Sequence, residues 1–329
     1  MGKRNLLLFH LMMPVLISSL GHTSYAQDLH PNMNSTRHLI ESANNTDRNP
    51  VNDTNYVSNS SHKLNVISSI FPINEFVKKV GGPMITSTLI VPAGIEPHDF
   101  EPTISQIQTI NSADVLVYNG LGIESWITKI ESTQKIDTSN ELNASYSDKR
   151  NMILDPHVWL DPLLAKKQVE NIRDGLITID PKNKDSYNSN ANSFLSELDE
   201  LDNAIRIQLE SCKKNDFISF HNSFSYFANR YGLTQHSISE SGPEAEVTPA
   251  RLAEIINVAK TLNLDVIYSE ELMDPRYAQV IAQEIPNGKV LVLSPIEGLT
   301  KNDQDAGIGY IDKMHENIVN LSLGLECSQ

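Results

Sequence analysis

Cysteine is nearly absent from this chain. Cys212 and Cys327 are the only two, and they stand too far apart in sequence for a metal knuckle. In an oxidising compartment such an isolated pair forms one disulfide, tying mid-chain to the extreme C-terminus; the alternative is two unpaired thiols. Cationic residues are also scarce, 26 Lys and Arg against 41 Asp and Glu, a formal net charge of −15. That balance argues against nucleic acid or anionic lipid as a partner and favours cations. Tryptophan occurs twice, and Trp126 and Trp159 read as lobe packing. With 40% apolar and 20% charged residues, the remainder has the profile of a globular protein.

The one strongly apolar stretch is N-terminal. MGKRNLLLFHLMMPVLISSLGHTSYAQ has a basic start at Lys3 and Arg4, an apolar run, and small residues at Ser24 and Ala26. Residues 1–26 are expected to be an export signal cut after Ala26, which places the body outside the cytoplasm. The alternative is an uncleaved anchor that tethers the protein to the membrane. Removing Lys3 and Arg4 takes the charge from −15 to −17. Residues 27–62 are rich in Asn, Ser, Thr and Asp without apolar periodicity, the composition of a disordered linker. As a tether it would reach roughly 30 Å. Glycosylation sequons at Asn34, Asn44, Asn52, Asn59, Asn143 and Asn320 depend on the host for any use.

From Lys63 onward strands and helices alternate. Strands are expected at 64–70, 85–91, 114–119, 217–221, 265–270 and 289–293, and helices at 102–113 and 249–263, the latter capped by Thr248 with Pro249 at its first position. Short apolar strands between helices imply parallel sheets covered on both faces. Residues 184–213 break this rhythm. Tyr187, Ala191, Phe194, Leu198, Leu201, Ile205 and Leu209 recur at helical spacing with no Gly or Pro among them, giving a helix of roughly 40 Å. It reads as a strut between an N-terminal α/β lobe, 63–183, and a C-terminal one, 214–329.

Of ten histidines, seven fall in the N-terminal stretch or in polar surroundings without a carboxylate pattern. The other three sit in or beside loops. His98 lies in VPAGIEPHDFEPT after strand 85–91, His157 lies in DPHVWLDP, and His221 closes the strand at 217–221. The crevice beyond strand carboxyl ends is where open α/β sheets bind ligands, and neutral imidazole is the commonest metal ligand. A fourth donor, Glu297, follows the last strand in SPIEG. Glu96 competes as a ligand or is a solvated loop charge. Glu240, Glu244 and Glu246 form a surface charge run or line a cleft mouth.

Taken together, GIEPHDFEPT, ADVLVYNGLGIESWI, DPHVWLDP, FISFHNSFSYFANRYGL, PEAEVTPARLAEI and SPIEGL resemble the extracytoplasmic solute-binding proteins of zinc and manganese ABC transporters (cluster A-I), from about Leu64 to Leu325. The resemblance implies two Rossmann-like lobes joined by one long helix, with the metal between them. It implies His98, His157, His221 and Glu297 as ligands, an ABC permease as partner, and a monomer. Histidine at 221, where manganese-type members usually carry a carboxylate, points to Zn²⁺ with Mn²⁺ as the alternative. Two departures stand out. Ser294 replaces an aspartate of many members, and residues 128–152 lack the His-rich loop of many zinc receptors. Asp155, Asp161 and Asn222 are candidates to orient the ligand rings. An adhesin is a rival reading. A secreted zinc hydrolase is another, although no HExxH or comparable pairing appears.

Overall fold

Strand and helix alternate to build two four-stranded, all-parallel sheets in the computed structural model. It describes residues 63–131, 133–142, 146–148, 153–239, 242–243 and 245–328. The expected signal and linker lie outside these residues, as do Asn143, Glu240 and Glu244. The first sheet comprises β1 (Leu64–Ser68), β2 (Ile85–Leu89), β3 (Val115–Tyr118) and β4 (Gln134–Asp137), in the order β2-β1-β3-β4. A short antiparallel hairpin follows, β5 (Tyr146–Asp148) with β6 (Ile153–Leu154). The second sheet comprises β7 (Asp216–His221), β8 (Thr234–Ser239), β9 (Val266–Ser269) and β10 (Lys289–Val292), ordered β10-β9-β7-β8. Read from the other edge, this is the topology of the first sheet again. Each lobe therefore has its chain reversal, and its ligand-accepting crevice, beside its own first strand.

Helices cover these sheets. They are α1 (Phe71–Gly81), α2 (Ile104–Asn111), α3 (Pro162–Ile179), α4 (Lys184–Glu210), α5 (Ser225–Tyr231), α6 (Pro249–Thr261), α7 (Arg276–Gln283), α8 (Lys301–Ala306) and α9 (Tyr310–Gly324). Their starts follow from local chemistry. Thr103 and Gln106 form a reciprocal capping box on α2, with the Gln106 amide 3.3 Å from Thr103 Oγ1. Thr248 accepts the Arg251 N–H at 3.2 Å on α6.

The apolar stripe of α4 is buried at Tyr187, Ala191, Phe194, Leu198, Leu201 and Ile205. It packs on α1 and α3 of the first lobe and on α9 of the second. One contiguous core runs from Val66 through the stripe to Leu325, and a smaller cluster fills the second lobe around Ile218 and Ile267. Trp126 and Trp159 are buried in the larger core. Hydrogen bonds also cross between the lobes: Trp159 Nε1 donates to Pro295 O at 2.8 Å and Tyr310 Oη to Trp159 O at 2.6 Å. A disulfide joins Cys212, just past α4, to Cys327. Beside it, the amides of Lys213 and Lys214 both donate to Leu325 O.

Candidate metal centre

Each donor sits at the carboxyl end of a strand or in the loop that follows one. After β2 the chain turns through Gly94, at φ 81°, whose N–H donates to Leu299 O of the opposite lobe at 2.8 Å. It then enters a 3-10 turn, Pro97–Asp99, that presents His98. The Glu96 carboxylate caps this turn by accepting the His98 N–H at 3.2 Å. His157 follows the hairpin and Pro156. Asp155 Oδ1 accepts both its backbone N–H, at 3.0 Å, and its ring Nδ1–H, at 2.7 Å. His221 ends β7, and Glu270 Oε1 holds it in the same two-point way, at 3.1 Å and 2.7 Å. Since Nδ1 donates in both rings, the lone pair of each neutral imidazole sits on Nε2 and faces the cleft.

Glu297 arrives by a tighter path. Ile296 has φ 58° although it is β-branched and fully buried, an uncommon conformation that its surroundings must impose. Ser294 Oγ accepts the Ile296 N–H at 3.1 Å, Trp159 holds Pro295 O, and Glu297 O accepts from Phe71 N at 3.3 Å. Strand end, indole and α1 together turn the carboxylate inward.

The four side chains converge. His98, His157, His221 and Glu297 each offer one atom, and these atoms lie within 4.8 Å of one another. His98 Nε2 is 3.2 Å from both His157 Nε2 and Glu297 Oε1. His157 Nε2 is 2.8 Å from Glu297 Oε1, and His221 Nε2 is 3.1 Å from His157 Nε2 and 3.3 Å from Glu297 Oε1. Donors held about 2.0–2.1 Å from a tetrahedral ion stand about 3.3–3.4 Å apart. Five of the six edges of such a tetrahedron are thus present at 2.8–3.3 Å. His98 has a side chain 23% exposed, against 4% or less for the other three, so it faces the solvent side.

Charge in the cleft is strongly coupled. Burial opposes protonation of His157 and His221, but the carboxylates of Asp155 and Glu297 around the first, and of Glu270 and Glu297 around the second, outweigh it and raise both. Burial would raise Glu297, yet the charges of His98 and His221 and hydrogen bonds from His157 and His221 hold it well below the usual carboxylate range. Glu96 is pushed up to about 9 by burial and by the charge and hydrogen bond of Glu297. It is therefore a partly buried cap against the centre, which corrects its reading as a solvated charge.

The remaining candidates divide. Asp155 touches a ring of the cluster. Asp161 does not: it caps α3 through the Leu163 N–H at 2.9 Å and pairs with Arg230 at 2.7 Å. Asn222 is partly buried with no hydrogen bond to any of the four donors. Glu246 is exposed. The sequence reading missed Glu270, although its signal was present, since it is the residue straight after β9 and β9 lies beside β7. It also missed Ser225, whose hydroxyl donates to Asp155 Oδ2.

Residues 66–324 match a family described as zinc-uptake complex component A, periplasmic. The chain belongs to that family. Within it, this chain is 35% identical over 274 residues to the high-affinity zinc uptake system protein ZnuA of Bacillus subtilis, covering 78% of this chain and 86% of the relative. It is 34% identical to the zinc-binding lipoprotein AdcA of Streptococcus pneumoniae over 78% of this chain, but spans only 54% of that longer protein. The Zn(II)-bound ZnuA-like domain of pneumococcal AdcA superposes with a TM-score of 0.72 at 34% identity, covering 80% of this chain and all of that domain. A laminin-binding protein of Streptococcus agalactiae, described as bifunctional with adhesin and metal transporting activity, gives 0.74 at 30% identity, with the same 80% and 100% coverage. Among the described residues no helix is long and apolar enough to cross a membrane.

Proposed function

We propose that the protein captures Zn²⁺ outside the cytoplasm through His98, His157, His221 and Glu297 and delivers it to an ABC permease for uptake. One observation carries this reading: three imidazole nitrogens and one carboxylate oxygen, from both lobes, stand at tetrahedral edge lengths around one point. Three nitrogens and one oxygen suit zinc, whereas manganese favours more oxygen. Four protein donors close the coordination shell, which suits holding an ion and leaves no position for an activated water. The zinc uptake ascribed to the Bacillus relative and the zinc-bound AdcA domain support the same cargo.

Zinc competition against a chromophoric chelator tests the proposal. One zinc per chain is expected, retained against manganese in excess. His221→Ala should lose at least 100-fold in affinity while keeping its circular dichroism spectrum, because it removes one of four donors and leaves Glu270 without its ring partner. Unchanged zinc retention in that variant would remove His221 from the site. The streptococcal laminin-binding neighbour motivates a second activity, adhesion. Binding of the full chain to immobilised laminin, with and without zinc, decides it.

A further inference from the structure

Glu124, in the stretch YNGLGIESW that follows β3, is a carboxylate buried without a cation. It is 3% exposed and forms no ion pair among the described residues. Burial pushes its carboxyl up to about 7, against the lowering effect of the hydrogen bonds it accepts. Such a group is costly to keep, and what it holds is specific. Its Oε1 accepts the Asn119 N–H at 2.8 Å and its Oε2 the Gly120 N–H at 3.0 Å, which fixes the turn straight after the strand. Asn119 is itself fully buried. Gln168 Nε2 donates to Asn119 Oδ1 at 2.9 Å, which orients the amide so that Nδ2 donates to Gly120 O at 3.1 Å and across to Pro156 O at 3.0 Å.

Pro156 C=O and His157 N–H belong to one planar peptide unit. Asn119 Nδ2 holds its carbonyl end, and Asp155 Oδ1 holds its amide end at 3.0 Å. With both ends pinned the plane cannot rock, so the direction in which the His157 side chain leaves the backbone is set before any ion arrives. We infer that Asn119, locked in place by Glu124 and Gln168, is a positioning residue for metal capture, which aims His157 at the ion through the Pro156–His157 peptide. The inference rests on the zinc reading, since it assigns a role at that same centre.

The test uses the full chain, with Co²⁺ as a probe whose visible bands report the number and geometry of its donors, and with zinc release timed against a chelator. Asn119→Asp keeps the size of the side chain but sets an acceptor against Pro156 O. Its cobalt bands should shift and weaken, and its zinc affinity should fall about 10- to 100-fold, mainly through faster release. Gln168→Met, which frees the Asn119 amide, should move both readouts the same way by less, and it decides the matter if Asn119→Asp does not fold. Tyr187→Phe removes a buried hydrogen bond to Asp180 far from the cluster and serves as the control: it should lower the urea midpoint with the cobalt spectrum and zinc release unchanged. Wild-type cobalt bands and zinc release in the folded variants, or changes that Tyr187→Phe reproduces, overturn the inference while leaving zinc capture intact. A wild-type chain that binds neither metal overturns both.

Discussion

A histidine serves a metal when one ring nitrogen is anchored and the other is bare. In this protein Asp155 and Glu270 each fix a ring by accepting two N–H groups, one from the backbone and one from Nδ1. Replacing Asp155 by Asn keeps the shape but weakens the anchor and the basicity it lends, so zinc affinity should fall about 10- to 100-fold, measured by chelator competition. Protons compete for the same nitrogens. His157 and His221 titrate above the ordinary histidine value of about 6.5, so the metal-free cleft holds protons that zinc must expel. Affinity should rise as pH climbs through that raised range and fall as it drops, by about one decade per pH unit for each protonated ring. Zinc titrations between pH 5 and 9 check the sign. Much of this was legible in advance, because loop histidines after strands and a glutamate after the last strand are local patterns. Asp155 and Asp161 show the limit: both flank the same short motif, yet one meets an imidazole and the other caps a helix and meets Arg230. Which carboxylate faces inward is set by turns that the residues alone do not orient.

Strands and turns, at the next scale, deliver the donors. The six expected strands are present, five with ends trimmed by one or two residues and β7 starting one residue earlier, at Asp216. Four were missed: β4 and β8, both on sheet edges, and the short hairpin pair β5 and β6. Sequences such as QKID and TQHSIS carry polar residues toward solvent, which dilutes the apolar signal that marks a buried strand. Glu270 escaped notice for a related reason: its meaning depends on β9 pairing with β7, and pairing in parallel sheets joins segments distant in sequence. The segment bearing Glu297 depends on Trp159 across the cleft. Trp159→Phe keeps the ring packing but strands the Pro295 carbonyl, and should cost about 1–3 kcal/mol and weaken zinc binding. Urea denaturation with and without zinc separates the two losses.

Over the whole molecule, the core is continuous between lobes and the C-terminus is fastened to the end of α4. The disulfide closes a 115-residue separation, for which the chain-entropy model gives about 4–5 kcal/mol. Cys212→Ser with Cys327→Ser should lower the stability of the metal-free protein by up to that amount in reversible denaturation, while zinc stoichiometry stays at one, since neither cysteine approaches the cluster. The long helix has a further consequence. It is a single rod of 27 residues with no glycine or proline to bend at, and it packs on α1 and α3 on one side and on α9 on the other. The spacing of the two halves is thus set by a stiff spacer, and the mouth between them is shaped by loops alone.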